Sequence, residues 1–206
     1  HTFGFVVPDN PGYPDIFISG KNSLNAADQQ KVVVEIINRE QRNHKQPEGR
    51  IVEILGYKEE KGVDVLSIIM NYPISIEFPE EVLQEAEELP DEIPEEELAK
   101  ELKHRADLRN EVIITIDGEN TRDFDDAISI SKTEDGHYLL GVHIADVTHY
   151  VKEHSPLDKE ALKRSTSIYL VDRVIPMLPE KLSNGLCSLK PQVARFALSC
   201  SMKINQ

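Results

Sequence analysis

The chain has 206 residues, 39% of them hydrophobic, with 37 acidic side chains against 23 basic ones and a formal net charge of -14. That size holds one large globular domain or two small ones, no apolar run approaches the roughly 20 residues of a membrane span, and the opening HTFGFVVPDN lacks the basic and apolar regions of a signal peptide. The charge argues against a polyanionic partner only on average: Glu77 to Glu101 carries twelve acids and one lysine, while the remainder nearly balances at 25 acidic against 22 basic residues.

Residues 1–76 read as short strands separated by turn signals. The runs TFGFVVP, DIFIS, KVVVEIIN, GRIVEILGY and DVLSIIMNY are rich in Val, Ile, Phe and Tyr, and Asn10-Pro11-Gly12, Asn25, Pro47-Glu48-Gly49 and Lys61-Gly62 lie between them. Five such runs fit a small closed β-barrel of the OB type. In FGFVV the alternation places Phe3, Phe5 and Val7 on one face and Gly4 and Val6 on the other; Phe17 of the next run can join the aromatic face, and Gly4 would allow close approach. That face is either part of the barrel core or a platform on which single-stranded bases stack, and stacking is the preferred reading.

Residues 77–110 form an acidic connector. Pro79, Pro90 and Pro94 divide it into two helices, Glu80–Glu88 and Glu95–His104, each starting at or after a proline. A solvated linker is the expected role.

Residues 111–206 mix strands and helices. EVIITID, DAISISK, HYLLGVHIADV, TSIYLVDRVIP and ARFALSCSMKIN read as strands; SPLDKEALKRS reads as a helix capped by Ser155, and PEKLSNGL as a short helix stopped at Asn184-Gly185. The chain starts in mid-strand and stops in one, so it is expected to be a piece of a longer protein. Cys187 and Cys200 lack metal-like spacing and are expected to be two reduced core thiols rather than a disulfide.

TIDGENTRDFDDAISIS places Asp117, Asp123, Asp125 and Asp126 within ten residues, flanked by β-branched runs. Two carboxylates ~4 Å apart repel by about 4 kcal/mol at an effective dielectric near 20, so four in one pocket need a cation or partial protonation. Oxygen ligands without nearby His or Cys favour Mg²⁺, with Mn²⁺ as a substitute, over zinc. Such clusters hold the ions of in-line phosphodiester hydrolysis. An EF-hand reading from Asp117 fails, because position six is Arg122 and position twelve is Ile128. A plain acidic turn is the other alternative. Arg122 is expected to pair with these aspartates rather than meet a phosphate; for Arg105, His143 and His149 structural roles are favoured, Asp146 is expected to cap backbone with a place in the metal shell as the alternative, and for Arg173 and Arg195 a nucleic-acid backbone contact and a salt bridge are equally open.

Two resemblances sharpen this. FGFVV and DIFIS resemble the two short RNA-binding motifs of cold-shock domains, with Ser19 where that family has a histidine. TIDGENTRDFDDAISI, GVHIADVTHYV, the long SPLDKEALKRSTSIYLVDRVIPMLPEKLSNGLCSL block and RFALSCSM resemble the catalytic RNB domain of the ribonuclease II and ribonuclease R family. The barrel and connector then resemble the second cold-shock domain and linker of a bacterial ribonuclease R. The implied organisation is a cold-shock domain over residues 1–76, an acidic helical linker over 77–110 and the N-terminal part of an α+β RNB domain over 111–206.

The resemblance implies a Mg²⁺-dependent, processive, hydrolytic 3′→5′ exoribonuclease that converts single-stranded and structured RNA to nucleoside 5′-monophosphates. The implied partner is RNA with a single-stranded 3′ end; a cytoplasmic location is expected, and nothing in the sequence demands more than a monomer. Asp117, Asp123, Asp125 and Asp126 would bind the metal, Asp125 being the most rate-critical, and Tyr169 would stack on the terminal nucleotides beside the platform residues Phe3, Phe5 and Phe17. The family's distal glutamate and arginine cluster lies beyond this stretch, so the isolated chain is expected to have little or no activity. A catalytically inactive RNA-binding module and a metal-stabilised scaffold are the rival readings.

Overall fold

The computed structural model describes residues 3–38 and 46–205; Thr2, part of the first strand-like run, lies outside them. The chain divides into two units, the first comprising residues 1–75 with 170–172 and the second residues 76–169 with 173–206.

The first unit contains a four-stranded sheet of order β1-β2-β4-β3, formed by β1 (Phe3–Val6), β2 (Ile16–Ser19), β3 (Gln30–Asn38) and β4 (Glu48–Tyr57). The β1–β2 and β3–β4 pairs are antiparallel, and a short parallel ladder joins Phe17 and Ile18 to Glu48 and Gly49. Gly49 is needed at that junction: a Cβ there would strike the Val34 side chain and come within 2.8 Å of Ile16 Cγ2. Register shifts along β3 and β4 bend the ladder, as bulges do when a sheet curls.

The fifth expected strand is a helix. DVLSIIMNY contributes α1 (Val63–Ile69), with Gly62 at φ 88 as its N-cap. The reason is in its spacing. Val63 and Ile69 are buried and Leu66 is half-buried, three residues apart in each step, while Asp64 and Ile68 are exposed. That is a helical stripe rather than a strand's alternation. β-branched content suggested a strand, and the period decided otherwise.

In the second unit a four-stranded antiparallel sheet runs β10-β7-β6-β5, with β5 (Ile113–Ile114), β6 (Asp126–Lys132), β7 (Tyr138–Ala145) and β10 (Ala197–Ile204). TSIYLVDRVIP is not one strand. It contributes two short ones, β8 (Ile168–Tyr169) and β9 (Val174–Ile175), paired antiparallel. The remaining helices are α2 (Glu80–Glu88), α3 (Glu95–Glu101), the single turn α4 (Val147–Tyr150) and α5 (Pro156–Arg164). Ser155 caps α5, its Oγ accepting from Asp158 N. Leu182–Leu186 forms a wide π-type turn.

The connector is not a solvated linker. Val82 and Ala86 of α2 are 1% and 2% exposed and sit in the same core as Leu157, Leu178, Leu182, Leu186 and Phe196. Phe78, Leu89, Ile93 and Leu98 pack against that core. Full burial of each large aliphatic side chain is worth roughly 1.5–3 kcal/mol. The connector's acids are also put to use. Glu85 accepts the Leu157 N–H at the start of α5, an otherwise orphan donor, and Glu97 faces His149 at 2.8 Å. Arg164 donates to the Glu77 carbonyl and to Glu160, and its guanidinium lies 3.8 Å from the Phe78 ring centre.

Both cysteines are free thiols. Cys187 is in the core, and burial pushes its thiol up to about 12. Cys200 is exposed on β10, contrary to the expectation of two core thiols, because the outer face of an edge strand is uncovered.

Candidate active site and nucleic-acid interface

On the first unit, the register pairs Phe5 with Phe17 and Phe3 with Ser19. The three rings therefore meet on one face. Phe3 stacks on Phe17 with centroids 5.9 Å apart, and Phe5 meets both edge-on at 5.8 and 6.0 Å, the geometry that ring quadrupoles prefer. Phe3 is 55% and Phe5 49% exposed, whereas Ile18, opposite Gly4, is buried. The aromatic face thus points to solvent and the other face to the core. No neighbouring backbone closes on Gly4: among the described residues a Cβ there would meet nothing within 4 Å.

On the second unit the Asp-rich segment links β5 to β6. Its C-terminal half is pinned from two sides. Ser188, fully buried, accepts the Phe124 N–H at 3.1 Å and donates to the Arg122 carbonyl at 2.7 Å. Leu189 N–H reaches the Phe124 carbonyl at 2.7 Å, and Ala145 N–H reaches the Asp125 carbonyl at 2.9 Å. Asp126 then enters the sheet opposite Ile144. Upstream, the turn Thr121 N–H to Gly118 carbonyl, 3.1 Å, is a local bond only. No signal in the sequence alone singled out Ser188; it sits in a block recognised only as a whole.

The four carboxylates are placed unequally. Asp123 is half-buried, and Asp117, Asp125 and Asp126 are exposed. Tyr169, at the end of β8, donates its hydroxyl to Asp123 Oδ2 at 2.5 Å. This hydrogen bond, then burial and the charges of Asp123 and Asp125, pushes the tyrosine up to about 12. The ring itself is 65% exposed, so its face is open to a partner while its hydroxyl is engaged. Among the described residues, no three His, Cys, Asp or Glu side chains converge closely enough to hold a metal ion. The oxygen-only donor set suits a hard cation; the arrangement gathers Tyr169 to Asp123 but does not draw the four aspartates into one shell.

Arg122 does not pair with its acidic neighbours. Its side chain is exposed, and among the described residues no carboxylate holds it. Arg105 does pair: it donates to Glu101 at 2.8 Å and to buried Asp146 at 2.7 Å, and lies 4.8 Å from the Phe196 ring centre. Asp146 stands at the start of α4 and also accepts from Thr148 Oγ1 at 2.7 Å. Burial raises its carboxyl, but Thr148 and Arg105 more than offset this and hold it below the usual carboxylate range. Asp146 follows Ala145 directly, so the connector helix α3 is tied to the residue beside the one that holds Asp125. Arg195 is structural, donating to the carbonyls of Gly185, Ser188 and Ala194. So is His143, buried between Ser129 Oγ at 3.0 Å and Ser199 Oγ at 2.8 Å across three strands.

Comparison with known proteins agrees with both halves of this picture. The sequence profile of the RNB domain matches residues 105–206, and that of the cold-shock domain matches residues 5–79. Ribonuclease R of Thermotoga maritima is 49% identical over 208 aligned residues, covering 100% of this chain and 29% of its own length. The chain belongs to the ribonuclease II and ribonuclease R family. Two solved structures of Mycoplasma genitalium RNase R superpose on it. The complex with double-stranded RNA has a TM-score of 0.83 at 32% identity, over 93% of this chain and 33% of that one. The complex with ribose-methylated single-stranded RNA has a TM-score of 0.82 at 29% identity, over 98% and 33%. The chain thus spans about a third or less of the length of these ribonuclease R relatives.

Proposed function

We propose that the chain belongs to a Mg²⁺-dependent, processive 3′→5′ exoribonuclease that acts in the cytoplasm as a monomer and releases nucleoside 5′-monophosphates. Membership of the ribonuclease R family supports the reaction class. The observation that carries the reading into this structure is the Tyr169–Asp123 contact. It brings an exposed aromatic face, suited to stacking on a terminal base, onto the carboxylate segment that would meet the adjacent phosphate.

In this reading Asp117, Asp123, Asp125 and Asp126 would hold Mg²⁺, which supplies charge stabilisation to the scissile phosphate and acidity to a bound water. The chain's own part is positional. Ser188, Leu189 and Ala145 fix the backbone of residues 122–125, so Asp125 is presented from a braced segment. Tyr169 orients the terminal nucleotide by stacking, and Phe3, Phe5 and Phe17 hold single-stranded bases by the same means, at ~1–3 kcal/mol per base. The family's further catalytic residues lie outside this stretch, so the 206 residues alone should turn over RNA poorly.

A second reading is a catalytically inactive RNA-binding module of the same fold. It is favoured by the placement of the aspartates, of which no three converge among the described residues. Digestion of a 5′-labelled single-stranded RNA by the full-length protein separates the two. The exonuclease reading expects Mg²⁺-dependent loss of full-length RNA to a very short labelled end product, abolished by chelator. Asp125→Asn should lower turnover by about 10²–10³-fold or more, the scale of losing one transition-state stabiliser, with RNA binding retained. RNA shifted on a gel but left whole by both proteins would establish the binding module instead.

A further inference from the structure

The Asp-rich segment has a second side. Thr121, Arg122 and Phe124 line an open groove of about 720 Å³, facing Glu180, Lys181, Asn184 and Lys190. Asp123, Asp125 and Tyr169 are not part of its lining. Arg122 lines the groove, while the next residue, Asp123, is held by the Tyr169 hydroxyl instead. In a chain of net charge -14 the groove wall carries three cations and one carboxylate.

Two of these cations are uncommitted. Lys181 is held by the Glu87 carbonyl at 3.0 Å and lies 3.5 Å from both the Glu87 and Asp91 carboxylates. Arg122 and Lys190 are exposed and, among the described residues, neither side chain has an ion pair or hydrogen bond. Their backbones, by contrast, are fixed. The Arg122 carbonyl is bonded to Ser188 Oγ at 2.7 Å, and Lys190 N–H to the Ser188 carbonyl at 2.8 Å. One buried serine therefore anchors the backbones that carry two free cations of the groove lining. Asn184 and Thr121 add neutral donors between them. A planar guanidinium, an ammonium and amide and hydroxyl donors around an open groove form a site for phosphate oxygens.

We propose that this groove binds the RNA phosphodiester backbone at a distance from the scissile phosphate, with Arg122 and Lys190 each neutralising one phosphate. The assignment rests on the exoribonuclease reading above and names a contact for the same substrate. The groove is open to solvent, which suits a continuous strand better than a free monophosphate.

The test uses the full-length protein carrying Asp125→Asn, so that RNA is not consumed, and a fluorescent single-stranded RNA titrated at several KCl concentrations. Each phosphate contact to a single strand contributes about -0.7 to the slope of log K against log salt. Arg122→Gln with Lys190→Gln should therefore flatten the slope by about 1.4 and weaken binding on the order of tenfold at low salt. Arg122→Lys with Lys190→Arg keeps both charges and should restore the slope. Both side chains are exposed and unpaired, so unchanged thermal unfolding of the double variant is expected and serves as the folding control. If the parent binds and degrades RNA but the neutralised variant keeps the parental slope, the groove assignment is wrong and the enzyme reading stands. The groove assignment fails equally if the variant keeps the parental slope and loses only the competition of added AMP with RNA binding, which would give the groove to free monophosphate. Should the full-length protein fail to bind RNA at all, the functional reading itself falls.

Discussion

The three phenylalanines of the first unit and the four aspartates of the second differ in what holds each set together. The rings attract one another, and strand register alone brings them into contact at 5.8–6.0 Å. Like charges repel, and among the described residues Asp123 alone of the four has a partner that draws it inward, a tyrosine hydroxyl. An aromatic platform can thus be complete before a base arrives, whereas a carboxylate site is completed by its cation. The proposed stacking surface and the proposed metal site should respond differently to chelation, to truncation and to pH.

The largest expected effect tests the platform. Replacing Phe3 and Phe5 together by alanine in the full-length protein should weaken single-stranded RNA binding by ~1–3 kcal/mol for each base that loses its ring. The loss should be the same with Mg²⁺ or with chelator, and unfolding should shift little because both rings are exposed. A loss that appears only with Mg²⁺ would mean that the two sites do not work independently, breaking the contrast. Fluorescence titration in both buffers checks it.

A smaller effect tests the bracing of the acidic segment. Arg105→Gln leaves Asp146 without its guanidinium partner, and should cost about 1.5–3 kcal/mol, the range for a hydrogen bond to a charged group. Asp146 has a lowered native pKa, so it stabilises the fold above the unfolded value near 3.8, and that contribution is lost as pH falls through the native value. The variant's deficit should therefore be present at neutral pH and shrink in acid. Urea unfolding at pH 7 and at pH 3 checks the sign; an equal deficit at both would remove Asp146 from the account.

The smallest effect reads the tyrosine. Its ionisation is pushed up to about 12 by Asp123. A raised value means the stabilising contribution is whole below pH 10 and is lost as pH climbs towards 12. If Mg²⁺ claims Asp123, the hydroxyl is released and Tyr169 should titrate closer to 10. Difference absorbance of the parent against Tyr169→Phe, with and without Mg²⁺, follows this one group. An unchanged titration on adding the metal would place Asp123 outside the metal shell.

Much of this was legible in the residues. Alternation in FGFVV and the apolar stretch of DIFIS were enough to expect an aromatic face, and the strands flanking the aspartates follow from their β-branched content. What escaped was set by tertiary partners. DVLSIIMNY has strand composition and helical spacing, and the buried stripe of Val63, Leu66 and Ile69 resolved it. The connector looked solvated because its charge hid two buried positions, Val82 and Ala86. Ser188 lies 64 residues from Phe124, and no local pattern reports a contact so distant. Tyr169 was identified by resemblance; by residue chemistry alone a tyrosine in a short apolar strand reads as core, and its exposure comes from the β8–β9 hairpin that replaced the expected long strand.

The buried face of α2 bears on where this protein can be cut. The matched RNB region opens at residue 105, yet the second unit opens at residue 76. A truncation designed on the first boundary would discard Phe78, Val82, Ala86 and Leu98, leave a hydrophobic hollow over Leu157 and Leu182, and strip Glu85 from the head of α5. Such a piece invites aggregation, and its silence in an assay would say nothing about chemistry. Limited proteolysis should instead spare residues 76–105, and an expression boundary just before Ile76 would keep the core of the second unit covered.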